Sequence, residues 1–169
     1  MIQTEIISKE RVKIKLSEPH SYQEKIALTL DGQEQSVHFI NTGVPHVVFK
    51  VDDVAAVNVK KWGSQVRYAD AFKPAGTNAN FIEPVEKKYV KIRTYERGVE
   101  DETLACGTGS VAGAIISSLL YGFEPPVRML TAGGDELIIS FSRSGGTVKD
   151  VYLEGAVHPV FIGQYLEEI

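Results

Sequence analysis

The residues of this chain best suited to chemistry gather around its single cysteine. Cys106 stands in TLACGTGSVAGAIISSLLYG (103–122), where a glycine-rich turn runs straight into a long apolar stretch. A lone thiol can be core packing, a disulfide partner for another chain, or a catalytic group, and free cysteines are most often packing. The Cys-Gly-Thr-Gly context weighs on the other side, because glycines at a helix mouth carry a stability cost that packing does not return. What Gly107 and Gly109 provide is access. The unpaired N–H groups of a first helical turn form an anion site suited to a carboxylate or phosphate. A cysteine at the positive end of the helix dipole is also expected to favour its thiolate form. A thiol beside a carboxylate-binding turn suits proton transfer at the carbon next to that carboxylate.

Three further segments carry polar groups of interest: NTGVPH (41–46), GTNANF (76–81) and YERGVEDET (95–103). Each has an ordinary reading when taken singly. His46 after a proline reads as a loop histidine, and Asn41 and Asn78 occupy turns that asparagine favours for its own local hydrogen bonds. Glu96-Arg97 at a strand end reads as a solvated ion pair.

Positioning these groups falls to a chain that is mostly strands. RVKIKL (11–16) alternates Val12, Ile14 and Leu16 against charges, as a half-buried strand does. IALTL (26–30), SVHFI (36–40) and HVVFKV (46–51) follow, the first two joined by the tight-turn pair Asp31-Gly32. Asp52 or Asp53 can cap a short helix, and Asn58 to Gln65 can form another. ANFIEP and KYVKIRTY read as strands. The segment from Gly107 to Tyr121 is the one long helix, with Thr108 or Ser110 to cap its start, Gly122 past its end and Pro125-Pro126 beyond. It is apolar on almost every side, so it must be buried all round. VRMLTA, ELIISF, TVKDVYLEG and HPVFIGQY complete the strands. The expected fold is α+β: a curled, barrel-like, antiparallel or mixed sheet of about eight to ten strands around one central helix, in a single domain spanning residues 1–169.

The 169 residues allow one domain with a proper core. A net charge of −4 with both signs interspersed argues against a nucleic-acid partner, which needs clustered Lys and Arg. The longest apolar run, Val111 to Leu120, is far too short to span a membrane. One cysteine permits no intrachain disulfide, and no signal-peptide pattern opens the chain, so the cytoplasm is the expected location.

Taken together and in order, NTGVPHVV, GTNANFIE, YERGVEDETLACGTG and the closing GAVHPVFIGQ resemble the C-terminal half of diaminopimelate epimerase, over Arg11 to Gln164. The resemblance implies one of the two similar domains of that fold. It implies interconversion of LL- and meso-diaminopimelate without cofactor or metal, on the route to lysine and peptidoglycan precursors. In that chemistry two thiols face opposite sides of one α-carbon, one removing a proton and the other returning one. By position, Cys106 is one acid/base thiol. Gly107 and Thr108 belong to the carboxylate-binding turn, and Asn78 is a substrate ligand. Arg97 faces the distal carboxylate, Glu96 the distal ammonium, and His46 lies near the reacting centre in a positional or electrostatic role.

The sequence also departs from the family pattern. Only one half is present, with one Cys-Gly turn and no second cysteine, so the chain alone is expected to be inactive and to be a fragment, an isolated domain or one part of a split enzyme. Its implied partner is the N-terminal half of such an enzyme. Val44 stands where many relatives carry a substrate-binding asparagine, which Asn41 could replace. The RGVEDET loop is one residue longer than the shortest family version. A strand from Val157 to Tyr165, left without its partner half, is expected to drive homodimerisation by strand exchange. Two alternatives stand beside the epimerase reading: a non-catalytic amino-acid-binding domain, and half of a related two-thiol racemase with another substrate.

Overall fold

The structure, a computed structural model, describes residues 3–164. Eleven strands and two α-helices follow one another as β1 (Thr4–Ser8), β2 (Arg11–Lys15), β3 (His20–Leu30), β4 (Gln33–Asn41), β5 (Pro45–Lys50), α1 (Val59–Arg67), β6 (Asn78–Glu86), β7 (Tyr89–Glu96), β8 (Asp101–Thr103), α2 (Gly107–Tyr121), β9 (Val127–Leu130), β10 (Glu136–Ser144) and β11 (Thr147–Ala156). All strands join one sheet in the order β1-β2-β11-β10-β9-β7-β6-β5-β4-β3, with β8 paired on β7. Only β5–β6 and β7–β9 run parallel. These are the two places where a helix intervenes in sequence, since a parallel pair needs a crossover. The sheet curls but does not close, leaving β1 and β3 as its ends.

Strand alternation sorts the side chains onto two faces. On one, Val48, Ile82 and Ile92 pack with Val111, Ile115 and Ile116 of α2. On the other, Val47, Phe49, Ala79, Phe81 and Tyr95 pack with Val59 and Val66 of α1. Residues 109–118 of α2 are all buried, as a helix apolar on every side requires. The helix α1 approaches β7 so closely that a Cβ on Gly63 would sit 2.2 Å from the Cβ of Tyr95.

The bounds of α2 agree with the sequence reading, and Gly122 takes the left-handed conformation (φ 66°) that ends it. Its start differs: Cys106, in extended conformation, is the N-cap, and neither Thr108 nor Ser110 caps it. Thr108 is drawn instead into tertiary hydrogen bonds. The second helix, α1, is the one expected from Asn58, whose side chain accepts from the Lys61 N–H at 3.1 Å. Asp52 and Asp53 start no helix; Asp53 closes a turn onto the Ala55 N–H. The strand expected at Val157–Tyr165 does not form within the described residues, which end at Gln164. Val160, Phe161 and Ile162 are more than four-fifths exposed, so the alternating apolar pattern there has no sheet or core to face. Among the described residues no helix is long and apolar enough to cross a membrane.

Candidate active site

The polar residues sit where β5, β6 and β7 pass beneath the first turn of α2. Parallel pairing places His46 opposite Asn78 and Val48 opposite Asn80, and antiparallel pairing places Asn80 opposite Thr94. His46, Asn78 and Asn80 therefore share the face that Val48 and Ile82 present to α2. They form a polar layer at the open end of an otherwise apolar core. His46 and Asn80 are fully buried, and Asn78 and Thr94 nearly so. A buried polar group without a partner is costly, so the bonding here is close to complete.

Thr94 Oγ1 donates to Asn80 Oδ1 at 3.1 Å. Asn80 Nδ2 donates to the Val47 carbonyl at 2.9 Å and lies 3.1 Å from His46 Nδ1. His46 Nε2 lies 3.0 Å from Thr108 Oγ1, which lies 3.7 Å from Cys106 Sγ. The Thr108 carbonyl accepts from Thr42 Oγ1 at 2.9 Å, tying the β4–β5 turn to the first turn of α2. Burial pushes His46 down to about 3, helped by the charge of Arg97, so its imidazole is neutral at any ordinary pH.

Cys106 is buried at the head of α2, and its thiol is pushed up, not down. Burial is the largest cause, and the negative charge of the Glu96 carboxylate adds to it. The Gly109 N–H and the Thr108 hydroxyl act in the opposite sense but do not outweigh these. The expectation of a thiolate favoured by the helix dipole is thus corrected: the dipole's N–H donors are present, but desolvation and a neighbouring negative charge are stronger. The resting group is a thiol beside a carboxylate.

Gly107 and Thr108 are the first residues of α2, whose N–H groups have no acceptor within the helix. Asn78 is a strut. Its Nδ2 donates to the Pro45 carbonyl at 3.0 Å and its Oδ1 accepts from the Arg97 N–H at 2.7 Å, fixing the end of β7 against β5. The Arg97 guanidinium reaches the Ala75 carbonyl at 2.9 Å at the exposed rim. Asn41 is not brought to the thiol. Its side chain accepts from the Gly43 N–H, and it lines a separate cavity of about 380 Å³ with Phe39, Phe72 and Ala75. A larger cavity of about 580 Å³ lies between Arg93, Glu102 and Thr131 and contains none of these residues. Among the described residues no group of three or more His, Cys, Asp or Glu is placed to hold a metal.

Three contributors escaped the sequence reading, of which Thr94 shows in the sequence only as part of its strand's alternation. Asn80 lies two residues from Asn78 on the same strand face, and that spacing was its available signal. Thr42 carried none.

The family model for diaminopimelate epimerase matches residues 38–158, which include every residue of this cluster. The chain belongs to the diaminopimelate epimerase family. It is 50% identical over 161 residues to the diaminopimelate epimerase of Aquifex aeolicus, covering 94% of this chain and 56% of that protein. With the diaminopimelate epimerase of a Hydrogenobaculum species it shares 40% identity over 171 residues, covering 99% and 60%. The chain thus spans somewhat over half the length of these epimerases. A solved hydroxyproline epimerase from Agrobacterium vitis superposes with a TM-score of 0.65 at 13% identity, covering 87% of this chain and 50% of that one. A PhzF-family phenazine biosynthesis protein from Bacillus anthracis superposes with a TM-score of 0.63 at 11% identity, covering 93% and 62%. These last two share the fold.

Proposed function

We propose that this chain supplies one of the two acid/base thiols, and the carboxylate-binding turn, of a cofactor-independent epimerase acting on diaminopimelate in lysine and peptidoglycan precursor biosynthesis, in the reducing cytoplasm that a lone free thiol suits. The observation that carries this is the buried Cys106 thiol at the head of α2, beside the N–H donors of Gly107 and Thr108 and under the influence of the Glu96 charge. The deprotonation half of the reaction balances with these groups alone. Glu96 takes the thiol proton, and the thiolate takes the α-proton. The carbanion charge spreads into the substrate carboxylate held on the helix's first turn. Inversion then needs a proton delivered to the opposite face.

The charge of Glu96 acts on the ionisation of the Cys106 thiol, so we assign Glu96 to the reacting centre and not to the distal ammonium. Arg97, at the rim with further donors to offer, takes the distal carboxylate. Asn78 holds the Arg97 backbone while keeping one N–H and one lone pair for substrate. His46 acts by position.

The second thiol would come from the other segment of a full-length epimerase, which is the implied partner. The isolated chain is expected to exchange the α-proton of diaminopimelate with heavy water but not to invert the centre. Proton NMR in heavy water tests this. Exchange by the parent that is absent from Cys106→Ala supports the reading. Exchange unchanged in Cys106→Ala overturns it, and no exchange by either chain leaves an amino-acid-binding domain. Leu104, Val160, Phe161 and Ile162 are largely exposed, so we expect the isolated chain to self-associate into homodimers. A clean monomer in light scattering at high micromolar concentration would remove that expectation.

A further inference from the structure

The hydrogen bonds beneath α2 have a direction, and the direction can be read from one fixed point. The Val47 carbonyl can only accept, so the Asn80 side-chain atom 2.9 Å from it is the amide nitrogen. The opposite orientation would set two oxygens against each other and lose the Thr94 hydroxyl, which donates to Oδ1 at 3.1 Å. The second hydrogen of the same nitrogen points at His46 Nδ1, 3.1 Å away. A neutral imidazole that accepts at Nδ1 carries its proton on Nε2. That Nε2–H faces Thr108 Oγ1 at 3.0 Å and occupies an oxygen lone pair. The hydroxyl hydrogen of Thr108 is left to point at Cys106 Sγ, 3.7 Å away.

We propose that Asn80 is a positioning residue for Cys106, acting through His46 and Thr108: it holds His46 as the Nε2–H tautomer, so that the Thr108 hydroxyl must offer its proton, and not its lone pair, to the sulfur. The sign of the last bond depends on the first. With the other tautomer, Nε2 would accept the Thr108 hydrogen and the oxygen would present a lone pair to Sγ, favouring S–H over the thiolate. The thiol needs the donor, because burial and Glu96 both oppose its ionisation. The charged groups facing this cluster are Glu96 and Arg97; the first opposes the thiolate and the second opposes protonation of His46. Every polar side-chain atom of the relay has a partner, whereas the Ser110, Ser117 and Ser118 hydroxyls of the same helix have none. The network is complete where it leads to the sulfur.

The proposal rests on the reading of Cys106 as the acid/base thiol, but its test does not need turnover. Cys106 is the only cysteine, so the pH profile of alkylation by iodoacetamide reports it alone in the 169-residue chain. Thr108→Val should raise the midpoint of that profile by about one pH unit, cutting the rate at fixed pH below the midpoint about tenfold, and Thr108→Ser should restore it. Asn80→Asp, held protonated in this buried site so that its hydroxyl oxygen donates to the Val47 carbonyl and accepts from Nδ1–H, should reverse the relay and raise the midpoint as well. Its effect should largely disappear in the Thr108→Val background, since the path runs through that hydroxyl. Additive shifts would refute the relay. Should Asn80→Asp fail to fold, nitrogen-15 NMR of the four histidines in the unsubstituted chain decides. His46 is expected as a non-titrating Nε2–H tautomer, and an Nδ1–H or charged ring would overturn the proposal. Failure of the Cys106→Ala exchange test with this tautomer intact would overturn the reaction and leave the relay standing.

Discussion

Gly109→Ala joins the helix to the relay in a single atom. A Cβ built on Gly109 falls 2.4 Å from Asn80 Oδ1 and 3.2 Å from Cys106 Sγ, against the 3.4 Å or more of an ordinary contact. The Asn80 oxygen cannot swing aside freely, because the same amide is held by Thr94, Val47 and His46. Rotating it forfeits about two hydrogen bonds, ~1 kcal/mol each, and moving the helix instead costs ~1–3 kcal/mol in repacking. Alanine's better helix propensity returns up to ~1 kcal/mol. The net expectation is a loss of about 1–2 kcal/mol in urea unfolding, with the alkylation midpoint of Cys106 shifted upward. The control is Gly113→Ala in the same helix. Its Cβ meets the flexible tip of Met129 at 2.9 Å and Ile82 Cγ2 at 3.1 Å, so the neighbours can give way, and neither touches the thiol. A Gly109→Ala chain as stable as the Gly113→Ala chain, with an unmoved alkylation profile, would refute the reasoning.

Glu96→Gln should move two readouts in opposite directions. Removing the carboxylate charge lowers the thiol and speeds alkylation near neutrality, while burial still keeps most of it protonated and α-proton exchange falls ~100-fold for want of an acceptor. Parallel changes would remove Glu96 from the proton path. His46 is held neutral down to about pH 3, whereas the unfolded chain protonates it near 6.5. Below 6.5 the unfolded state therefore binds the extra proton, and folding loses about 1.4 kcal/mol per pH unit as pH falls, up to ~5 kcal/mol by pH 3. Burial also pushes His38 down and adds its own slope, so the informative quantity is the difference between the parent and His46→Gln in urea unfolding from pH 6 to 5. Identical slopes would count against a neutral buried His46. Gly63→Ala drives a methyl against the Cβ of Tyr95, an atom that cannot move without β7, and should cost about 2 kcal/mol after the propensity gain. Full stability in that variant would mean that α1 is not packed this closely.

The legible parts of the fold were those in which local pattern and burial agree. The range Gly107–Tyr121 could be read because an apolar stretch lies between a glycine turn and Gly122, and the structure buries it on all sides. The segment Val157–Gln164 misled for the converse reason. Its alternation is that of a strand, but alternation records only that a surface is covered by something, and among the described residues no element covers it. The strands β1 and β8 were missed. Thr4–Ser8 is exposed throughout and Asp101–Thr103 is polar, so neither carries an apolar signal; their pairing with β2 and β7 comes from register. In the site, GTNANF pointed to Asn78 while Asn80 went unread. Asparagine in a turn and asparagine under a helix look alike until the strand's phase relative to α2 is known.

The misreading of the thiol has the same origin and leads furthest. Position at a helix N-terminus is a sequence property and argues for a thiolate, whereas desolvation and the approach of Glu96 are tertiary properties and argue against it. The two are not independent, because the helix can present its N–H donors at full strength only in a site from which water is excluded. A thiol exposed enough to ionise on its own would hold its charge in water and gain little from Gly109 or Thr108. Buried, it rests protonated beside a carboxylate, and each hydrogen bond to the sulfur has a larger effect on its ionisation. The orientation of a single hydroxyl then becomes worth fixing through two further side chains. In the proposed reaction the thiol serves as base in one direction and acid in the other, and a sulfur balanced between opposing influences of this kind is better suited to both than one committed to either.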